Sequence, residues 1–238
     1  MIEKALRYLM ETMSLVDLKE INGEFYSDRP LHRVNHNPKA AAIEMHTLSS
    51  LVDYIKSDFD TREKVFVHVI SPQKVEVYSA LDYDREREYL VEVNAQLPSF
   101  RFNDFMGHEE FCINLQSKFI DSPDRALLLK FAGTVEAGSV AQYGDDGVTQ
   151  KATVKVGVAS KGDAIVPNPV SLTAYRTFVE VDQPCTQYIF RMKQNSAGGV
   201  MCGLFEADGG AWKIDAMDAI KTYLDEQLEG VDGLVVIS

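Results

Sequence analysis

The chain has 238 residues, of which 45% are hydrophobic and 25% are charged, as in a globular protein with a sizeable core. Its 24 lysines and arginines against 36 aspartates and glutamates give a formal net charge of −12. Because such acidity repels phosphate backbones and no run of Lys or Arg offsets it, direct nucleic-acid binding is disfavoured. The three scattered cysteines argue against a disulfide scaffold or a thiolate zinc site, and they favour a reducing compartment.

The first residues, "MIEKALRYLMETM", are not typical of a secretory signal, because acidic residues appear early and no long apolar stretch follows. No window approaches the roughly 20 apolar residues that a membrane helix needs. We therefore expect a cytoplasmic protein that makes no membrane contact.

Apolar residues at three- and four-residue spacing predict a helix over 2–14, followed by extended chain or short strands. We expect this N-terminal helix and arm, 1–46, to precede a single α+β domain over 47–238. A second helical stripe opens that domain, with Thr47 as its N-cap. The stripe consists of Leu48, Leu51, Val52 and Ile55.

The strongest strand pattern is "KVFVHVISPQKVEVYSAL", which starts at Lys64 and turns at "SPQK". Strict alternation sends one set of its residues to one side and the other set to the opposite side. The first set begins Val65, Val67, Val69, and the second is Phe66, His68, Ile70. Because "EYLVEVNAQL" reads as a third strand, an antiparallel meander is predicted.

Two helices are predicted next, one in "HEEFCINLQSKFI" and one opening at "SPDRALLLKF". In the second, Ser122 is the expected N-cap and Pro123 takes the first helical position. Strand patterns return after residue 148 with an alternating run at 152–158, and further runs are expected at 174–182, 186–193 and 200–206.

The last predicted helix covers about 214–228. Its expected apolar face consists of Ile214, Met217, Ile220, Tyr223, Leu224 and Leu228. The order of strands, helices, strands and a helix predicts an α+β fold. We expect a mostly antiparallel sheet with an N-terminal helix, two central helices and a C-terminal helix.

The string "YGDD" at 143–146 is the one with which template-dependent RNA polymerases hold their metals, but its context differs here. A polymerase needs a second, separate aspartate motif and a far larger chain. Asp-Asp-Gly is also a common turn, because Asp accepts local backbone hydrogen bonds and Gly adopts positive φ. We therefore interpret Asp145, Asp146 and Gly147 as the turn that begins the next strand.

A second acidic stretch, "FEADGGAWKID", places Glu206 and Asp208 beside two glycines and the only tryptophan. It lacks the ligand spacing of a calcium loop, so a tight turn with Trp212 buried is the favoured interpretation. The five histidines form no His-Glu-x-x-His pattern, and no nucleophile elbow or phosphate-binding loop occurs. The sequence therefore predicts no catalytic, cofactor or metal site.

The stretch "LPSFRFNDFMGHEEF" is unusually rich in aromatic residues. Such residues are enriched at protein interfaces, and they also pack a loop onto its own core. Base stacking is disfavoured, since only Arg101 is cationic there. As a candidate interface we take Phe100, Phe102, Phe105 and Met106.

Six stretches together resemble the YfdQ-like family of phage and prophage proteins, a domain of unknown function. They are "EYLVEVNAQLPSFRFNDFM", "FCINLQSKF", "DRALLLKFAGTV", "YGDDGVTQKATVKVGVA", "VPNPVSLTAYRTFVEVDQP" and "LFEADGGAWKIDAM". The resemblance covers roughly 47–228. It implies a phage or prophage origin and a role in the cytoplasm of the host cell, and it implies no catalytic residue.

Three functions are open at this point. The first is a non-enzymatic phage accessory protein that acts through self-assembly or by binding a host or phage protein. The second is a small-ligand-binding protein or enzyme whose carboxylates converge from two loops, namely Asp145, Asp146, Glu206 and Asp208. The third is an acidic mimic of nucleic acid that blocks a host defence protein, which the net charge of −12 motivates.

The C-terminal stretch "GLVVIS" is an uncharged, β-branched segment that follows the glycine-containing hinge "EGVDG". Such a strand is suited to pair with a sheet edge in its own subunit or in a neighbour. Burial of each large side chain contributes about 1.5–3 kcal/mol before ordering costs. We therefore predict a homo-oligomer whose contact includes Leu234, Val235, Val236 and Ile237.

Overall fold

The computed structural model divides the chain into two compact units, Met1–Ala40 and Ala41–Ser238. The first unit contains an antiparallel hairpin of β1 (Leu18–Ile21) and β2 (Glu24–Ser27). The helix predicted over 2–14 lies outside the described residues. Those are 18–21, 24–27, 39–58, 60, 64–137, 139–145, 150–156, 160–165, 168–196 and 199–238.

The second unit contains a five-stranded sheet built around the predicted meander, in the order β14-β4-β5-β6-β3. The three central strands pair antiparallel, which confirms the meander, and β14 and β3 add parallel strands at the two edges. The strands are β3 (Ile43–Met45), β4 (Val65–Ser71), β5 (Lys74–Ser79), β6 (Tyr89–Asn94) and β14 (Leu234–Ile237).

One face of this sheet is a layer of valines that packs against the helices α1 (Leu48–Ser57) and α4 (Trp212–Gln227). The predicted α1 stripe is buried, and the Thr47 side chain accepts a hydrogen bond from the backbone N–H of Ser50, which confirms the N-cap. On α4 the prediction was wrong for Ile214, which is 61% exposed. The buried stripe begins at Trp212, and a position two residues later lies about 200° around the helix.

A four-stranded antiparallel sheet in the order β11-β12-β13-β7 forms a second core with two central helices. Its strands are β7 (Phe105–Gly107), β11 (Val170–Thr173), β12 (Cys185–Gln194) and β13 (Val200–Glu206). The helices are α2 (His108–Lys118) and α3 (Pro123–Ala137). As predicted, the Ser122 hydroxyl caps α3 by accepting from the backbone N–H of Arg125 at 3.1 Å.

The strand expected at 174–182 is absent from that described stretch, because β11 ends at Thr173 and a loop follows. The Gln183 side chain supplies the partners that a strand would otherwise provide. Its amide oxygen accepts from the backbone N–H of Arg176 at 2.8 Å and of Thr177 at 3.1 Å. Its amide nitrogen donates to the carbonyl of Phe178 at 2.9 Å. Local side-chain bonding of this kind competes with sheet pairing.

The first three residues of the "YGDD" string end a strand in a third, three-stranded antiparallel sheet. Asp145 pairs with Gln150 of the next strand, and the turn predicted at Asp146 and Gly147 lies outside the described residues. The strands are β8 (Ser139–Asp145), β9 (Gln150–Val156) and β10 (Ser160–Ile165). With its mostly antiparallel sheets, two central helices and a C-terminal helix, the fold is α+β, as predicted.

Two glycines with opposite surroundings provide a stability test of the four-stranded core. A Cβ atom added at Gly203 on β13 would lie 2.7 Å from the backbone oxygen of Asp104, whereas one added at Gly133 on α3 would meet nothing within 4 Å. We expect Gly203→Ala to destabilise the protein by about 1–3 kcal/mol through overpacking. Gly133→Ala should instead stabilise it, by up to about 1 kcal/mol.

Urea denaturation followed by circular dichroism measures both changes. Equal unfolding midpoints for Gly203→Ala and the wild type would show that the backbone at Asp104 does not pack closely against Gly203.

Candidate functional site

The face of the five-stranded sheet opposite the helices carries apolar side chains in register across four strands. Val235 on β14 pairs with Phe66, Phe66 pairs with Tyr78, and Tyr78 pairs with Tyr89. The ring centroids of Phe66 and Tyr78, and those of Tyr78 and Tyr89, are 5.7 Å apart. Val235 and Tyr89, at the two ends, are each 52% exposed. We call these four side chains the apolar row.

Beside the apolar row, three glutamates lie next to one another on the same face. Glu76 pairs with Glu92, and Glu92 pairs with Glu44, which places one carboxylate on each of β5, β6 and β3. We call them the glutamate ladder. Lys74 contacts Glu76 at 2.8 Å and Glu92 at 3.2 Å. One ammonium group therefore contacts two of the three carboxylates.

Hydrogen bonding favours the charged forms of Glu92 and Lys74. The Asn94 amide and the Lys74 ammonium lower the pKa of Glu92. The carboxylates of Glu76 and Glu92 in turn raise the pKa of Lys74. At neutral pH Glu92 therefore remains ionised beside the Lys74 ammonium.

A guanidinium group of the chain itself already lies on the apolar row. The Arg87 Cζ atom is 5.3 Å from the ring centroid of Phe66 and 5.0 Å from that of Tyr78. Its Nη1 atom donates a hydrogen bond to the carbonyl of Ser79 at 2.9 Å, which holds the side chain in place. The rings are therefore arranged to accept a cation over their faces.

The predicted C-terminal segment divides between the two faces of the sheet. Val235 and Ile237 lie on the open face, whereas Val236 is 8% exposed and, like Leu234, packs with the valine layer. The segment pairs with β4 of its own chain, and the Val236 carbonyl accepts a hydrogen bond from Lys221 Nζ at 3.2 Å. Of the four predicted interface residues here, only two face the open side.

The aromatic stretch that was also a candidate interface lies mainly against the four-stranded core. Met106 is 1% exposed inside that core, so we correct the prediction that it belongs to a partner surface. Phe100 and Phe102 pack on the same core, with the Phe102 ring stacked on Tyr188 at 5.4 Å. Phe105 contacts the ring of Phe205 at 5.2 Å.

An arginine that the sequence did not single out is clamped between two aromatic rings beside this stretch. The Arg176 Cζ atom is 3.8 Å from the Trp212 ring and 4.1 Å from the Phe102 ring. Its guanidinium donates to the Tyr188 hydroxyl at 3.1 Å and to a Glu206 carboxylate oxygen. Burial raises the pKa of Tyr188 to about 12, against the opposing charge of Arg176. The tyrosine hydroxyl therefore remains neutral.

Both carboxylate oxygens of Glu206 accept hydrogen bonds within this cluster. It also accepts hydrogen bonds from Trp212 Nε1 at 3.1 Å and from Asn103 Nδ2 at 3.2 Å. Burial by itself would raise the pKa of Glu206, but the hydrogen bond and charge of Arg176, helped by Asn103 and Trp212, lower it. The carboxylate thus serves as an anchor in the fold.

The proposed carboxylate cluster is only partly described. Asp208 accepts from the backbone N–H groups of Gly210 at 3.0 Å and Trp212 at 3.4 Å, so it stabilises the start of α4. Asp146 and the side chain of Asp145 lie outside the described residues. In the part of the chain that is described, no three His, Cys, Asp or Glu side chains are placed to hold a metal ion.

A cleft of about 340 Å³ opens next to the Arg176 cluster. Its walls combine rings with a few polar groups and include Phe100, Phe102, Tyr175, Arg176, Trp212 and Gln73. Its volume lies at the lower end of the range typical of small-molecule sites, and the cleft is open to solvent.

The acid dependence of stability tests the Arg176–Glu206 pair. Because the folded-state pKa of Glu206 is lowered, its contribution is present above the unfolded pKa and is lost as the pH falls through the folded pKa. We expect the stability difference between the wild type and Glu206→Gln to be largest near about pH 7 and to shrink towards about pH 3. Urea midpoints at several pH values measure it, and a difference that does not change with pH would contradict the pairing.

The chain matches no known protein family, no curated protein and no solved structure. Membership of the YfdQ-like family therefore stays a prediction. Among the helices that the structure describes, none has the length and hydrophobicity needed to cross a bilayer.

Sequence reasoning missed most of the open face. The alternation in β4 already separated Phe66 and His68 from the valines. It did not show which residues of β5, β6, β3 and β14 lie beside them, since that depends on the register of strands far apart in the chain.

Proposed function

We propose that this chain is a phage-encoded accessory protein of the host cytoplasm that has no catalytic chemistry of its own and acts by contacting proteins. The observation that supports this function is the open sheet face, where the apolar row, half exposed at its two ends, lies beside the glutamate ladder. Contiguous exposed apolar side chains rimmed by polar groups are typical of protein interaction sites. The phage origin rests on the family resemblance alone.

The apolar row has the physical properties of a binding surface. Tyrosine and phenylalanine offer large contact areas with few rotatable bonds, so little conformational entropy is lost on binding. Three rings on neighbouring strands are held by the sheet itself, and the Tyr78 hydroxyl is further fixed by a hydrogen bond with His68 Nδ1 at 3.2 Å. A surface that is already ordered binds at lower cost.

Self-assembly is one form of this contact, and it would give a homo-oligomer. Light scattering over a range of concentrations measures the mass against the monomer mass of 26.6 kDa. Val235→Lys and Tyr89→Lys should lower the mass of the assembly, because each places a charge at one end of the apolar row. Val179→Lys and Tyr83→Lys are matched controls, since both residues are well exposed outside the row.

Contact with another protein is the other form. The immobilised full chain should then retain a protein from phage-infected cells that the Tyr89→Lys variant does not retain. A monomer at every concentration, together with no protein whose retention depends on the row, would contradict the proposed function.

Binding of a small ligand is a second candidate function, favoured by the cleft beside Arg176. Trp212 lines the cleft and is the only tryptophan, so its fluorescence reports on occupancy directly. We expect a planar organic ligand to change this emission. Screening a set of planar carboxylic acids would test the idea, and no saturable change with any of them would count against it.

The acidic nucleic-acid mimic also remains a proposal. The glutamate ladder supplies only three carboxylates on strands about 4.8 Å apart, and Lys74 contacts two of them. A mimic of a phosphate backbone requires a longer stripe, so this function has less support than protein contact.

A further inference from the structure

We infer that the open face of the five-stranded sheet binds an arginine-rich segment of a partner protein, which lays guanidinium groups on the apolar row and against the glutamate ladder. This inference rests on the proposed function, because it names the chemistry of the partner at that same face. It is carried by the Arg87 contact, by the charges of the ladder and by the geometry that places the two side by side.

The first step is that the row already binds a guanidinium. Arg87 lies over Phe66 and Tyr78 at 5.3 and 5.0 Å. Tyr89 continues the row beyond it and is half exposed, and no cation from the described residues stacks on its ring. A partner arginine over Tyr89 would repeat a contact that the protein itself makes one ring away.

The second step concerns charge. Like charges placed directly opposite each other on neighbouring strands destabilise a sheet, and the ladder contains two such pairs in succession. Lys74 contacts Glu76 and Glu92, while Glu44 at the end of the ladder is exposed, and no cation in the described stretches pairs with it. Cationic side chains of a partner would relieve this repulsion.

The third step is spacing. Glu76 and Tyr78 are two residues apart on β5, and their partners on β6 are Glu92 and Tyr89, so the free Tyr89 ring lies roughly 7 Å from the ladder. An arginine side chain can stack on a ring and still reach a carboxylate at that separation. Arginine suits both contacts better than lysine, because its planar guanidinium stacks on rings and pairs with carboxylates through two hydrogen bonds.

Other occupants of this face are less well matched. A second copy would bring another glutamate ladder towards the first in a chain whose net charge is −12. A nucleic acid would bring phosphates against the same carboxylates. Both are outcomes that the experiment below separates from the inferred one.

The test uses two labelled peptides of equal length and equal positive charge, in which glycine alternates with arginine or with lysine. Fluorescence anisotropy with the full chain gives a Kd for each. We expect the arginine peptide to bind several-fold more tightly than the lysine peptide. Tyr89→Leu or Tyr78→Leu should raise the Kd of the arginine peptide by about 3-fold and reduce the difference in Kd between the two peptides. Tyr83→Leu, which removes an exposed tyrosine outside the row, should have no effect.

The charge of the ladder is tested separately. Glu92→Gln should weaken both peptides, whereas Glu229→Gln, which removes an exposed carboxylate elsewhere, should change neither beyond the small effect of net charge. Thermal unfolding of every variant shows that the fold is retained. Glu44→Gln tests the effect of the ladder's charge on peptide binding independently of Glu92. It suits this purpose because Glu44 lies at the sheet edge and supports no described core contact.

Equal binding of the two peptides, or no difference between Tyr89→Leu and Tyr83→Leu, would overturn the inference, because attraction would then follow net charge alone. If Tyr89→Lys dissolves an oligomer while peptide binding ignores the row, the occupant is a second copy, so the inference fails and the proposed function stands. Tighter binding of a single-stranded oligonucleotide than of the arginine peptide at the row contradicts both. If neither assembly, nor retention of a protein from infected cells, nor peptide binding depends on the row, both the inference and the proposed function are contradicted.

Discussion

Arg176→Met should destabilise the protein by about 2–4 kcal/mol, the largest effect that we expect from a single polar side chain here. Arg176 is 8% exposed and is clamped between Trp212 and Phe102. Its loss leaves the Glu206 carboxylate partly buried without its cation and removes both ring contacts. Methionine keeps much of the apolar volume, so the cost reflects charge and hydrogen bonding more than a cavity.

The control for this prediction is an exposed pair of the same chemistry. Arg101 contacts Glu110 at 2.9 Å at the surface, and Arg101→Met should cost no more than about 1 kcal/mol. Urea denaturation followed by circular dichroism measures both variants. The double variant Arg176→Met/Glu206→Gln should be less destabilised than the sum of its two single variants, because the orphaned charge is gone. Equal costs for Arg176→Met and Arg101→Met would refute the assignment.

Val236→Asp and Val235→Asp should have opposite consequences although the residues are neighbours. Val236 is buried in the valine layer, so a carboxylate there is expected to cost about 3 kcal/mol or more. Val235 lies half exposed on the open face, and its substitution should change stability by less than about 1 kcal/mol.

The same pair shows whether the C-terminal strand stays in its own sheet. If it does, the stability lost in Val236→Asp will not depend on protein concentration, whereas a strand exchanged between copies would give a concentration-dependent midpoint. Thermal melts at several concentrations make the distinction. Similar losses in both variants would mean that the alternation of β14 is not as described.

Local patterns predicted those elements whose partners lie nearby in the chain. The meander from Val65 to Asn94 has short connections, and its alternation fixed which valines point inward. The capping residues Thr47 and Ser122 were also readable, because a cap acts on its own helix. Where a short loop or a helix start decides the structure, sequence alone was sufficient.

Long-range pairings could not be read in this way. The apolar row exists because Val235 aligns with Phe66, and the glutamate ladder exists because Glu44 aligns with Glu92. These are parallel edge pairings between distant segments, and shifting either by one residue would move its side chains to the other face. The loop after β11 was likewise misjudged, since one side chain, Gln183, takes up its backbone groups.

The segment that follows β11 joins the two large sheets by anchoring alternate residues to different cores. Arg176 contacts the ring of Phe102, which packs on the four-stranded sheet, while Phe178, two positions later, is buried among the valines of the five-stranded sheet. Between them, the buried Thr177 hydroxyl donates to the Pro72 carbonyl at 2.6 Å. Neither sheet can unfold locally unless residues 176–178 also leave the core of the other sheet. Amide hydrogens deep in both sheets should therefore exchange with solvent at similar rates, through one concerted opening.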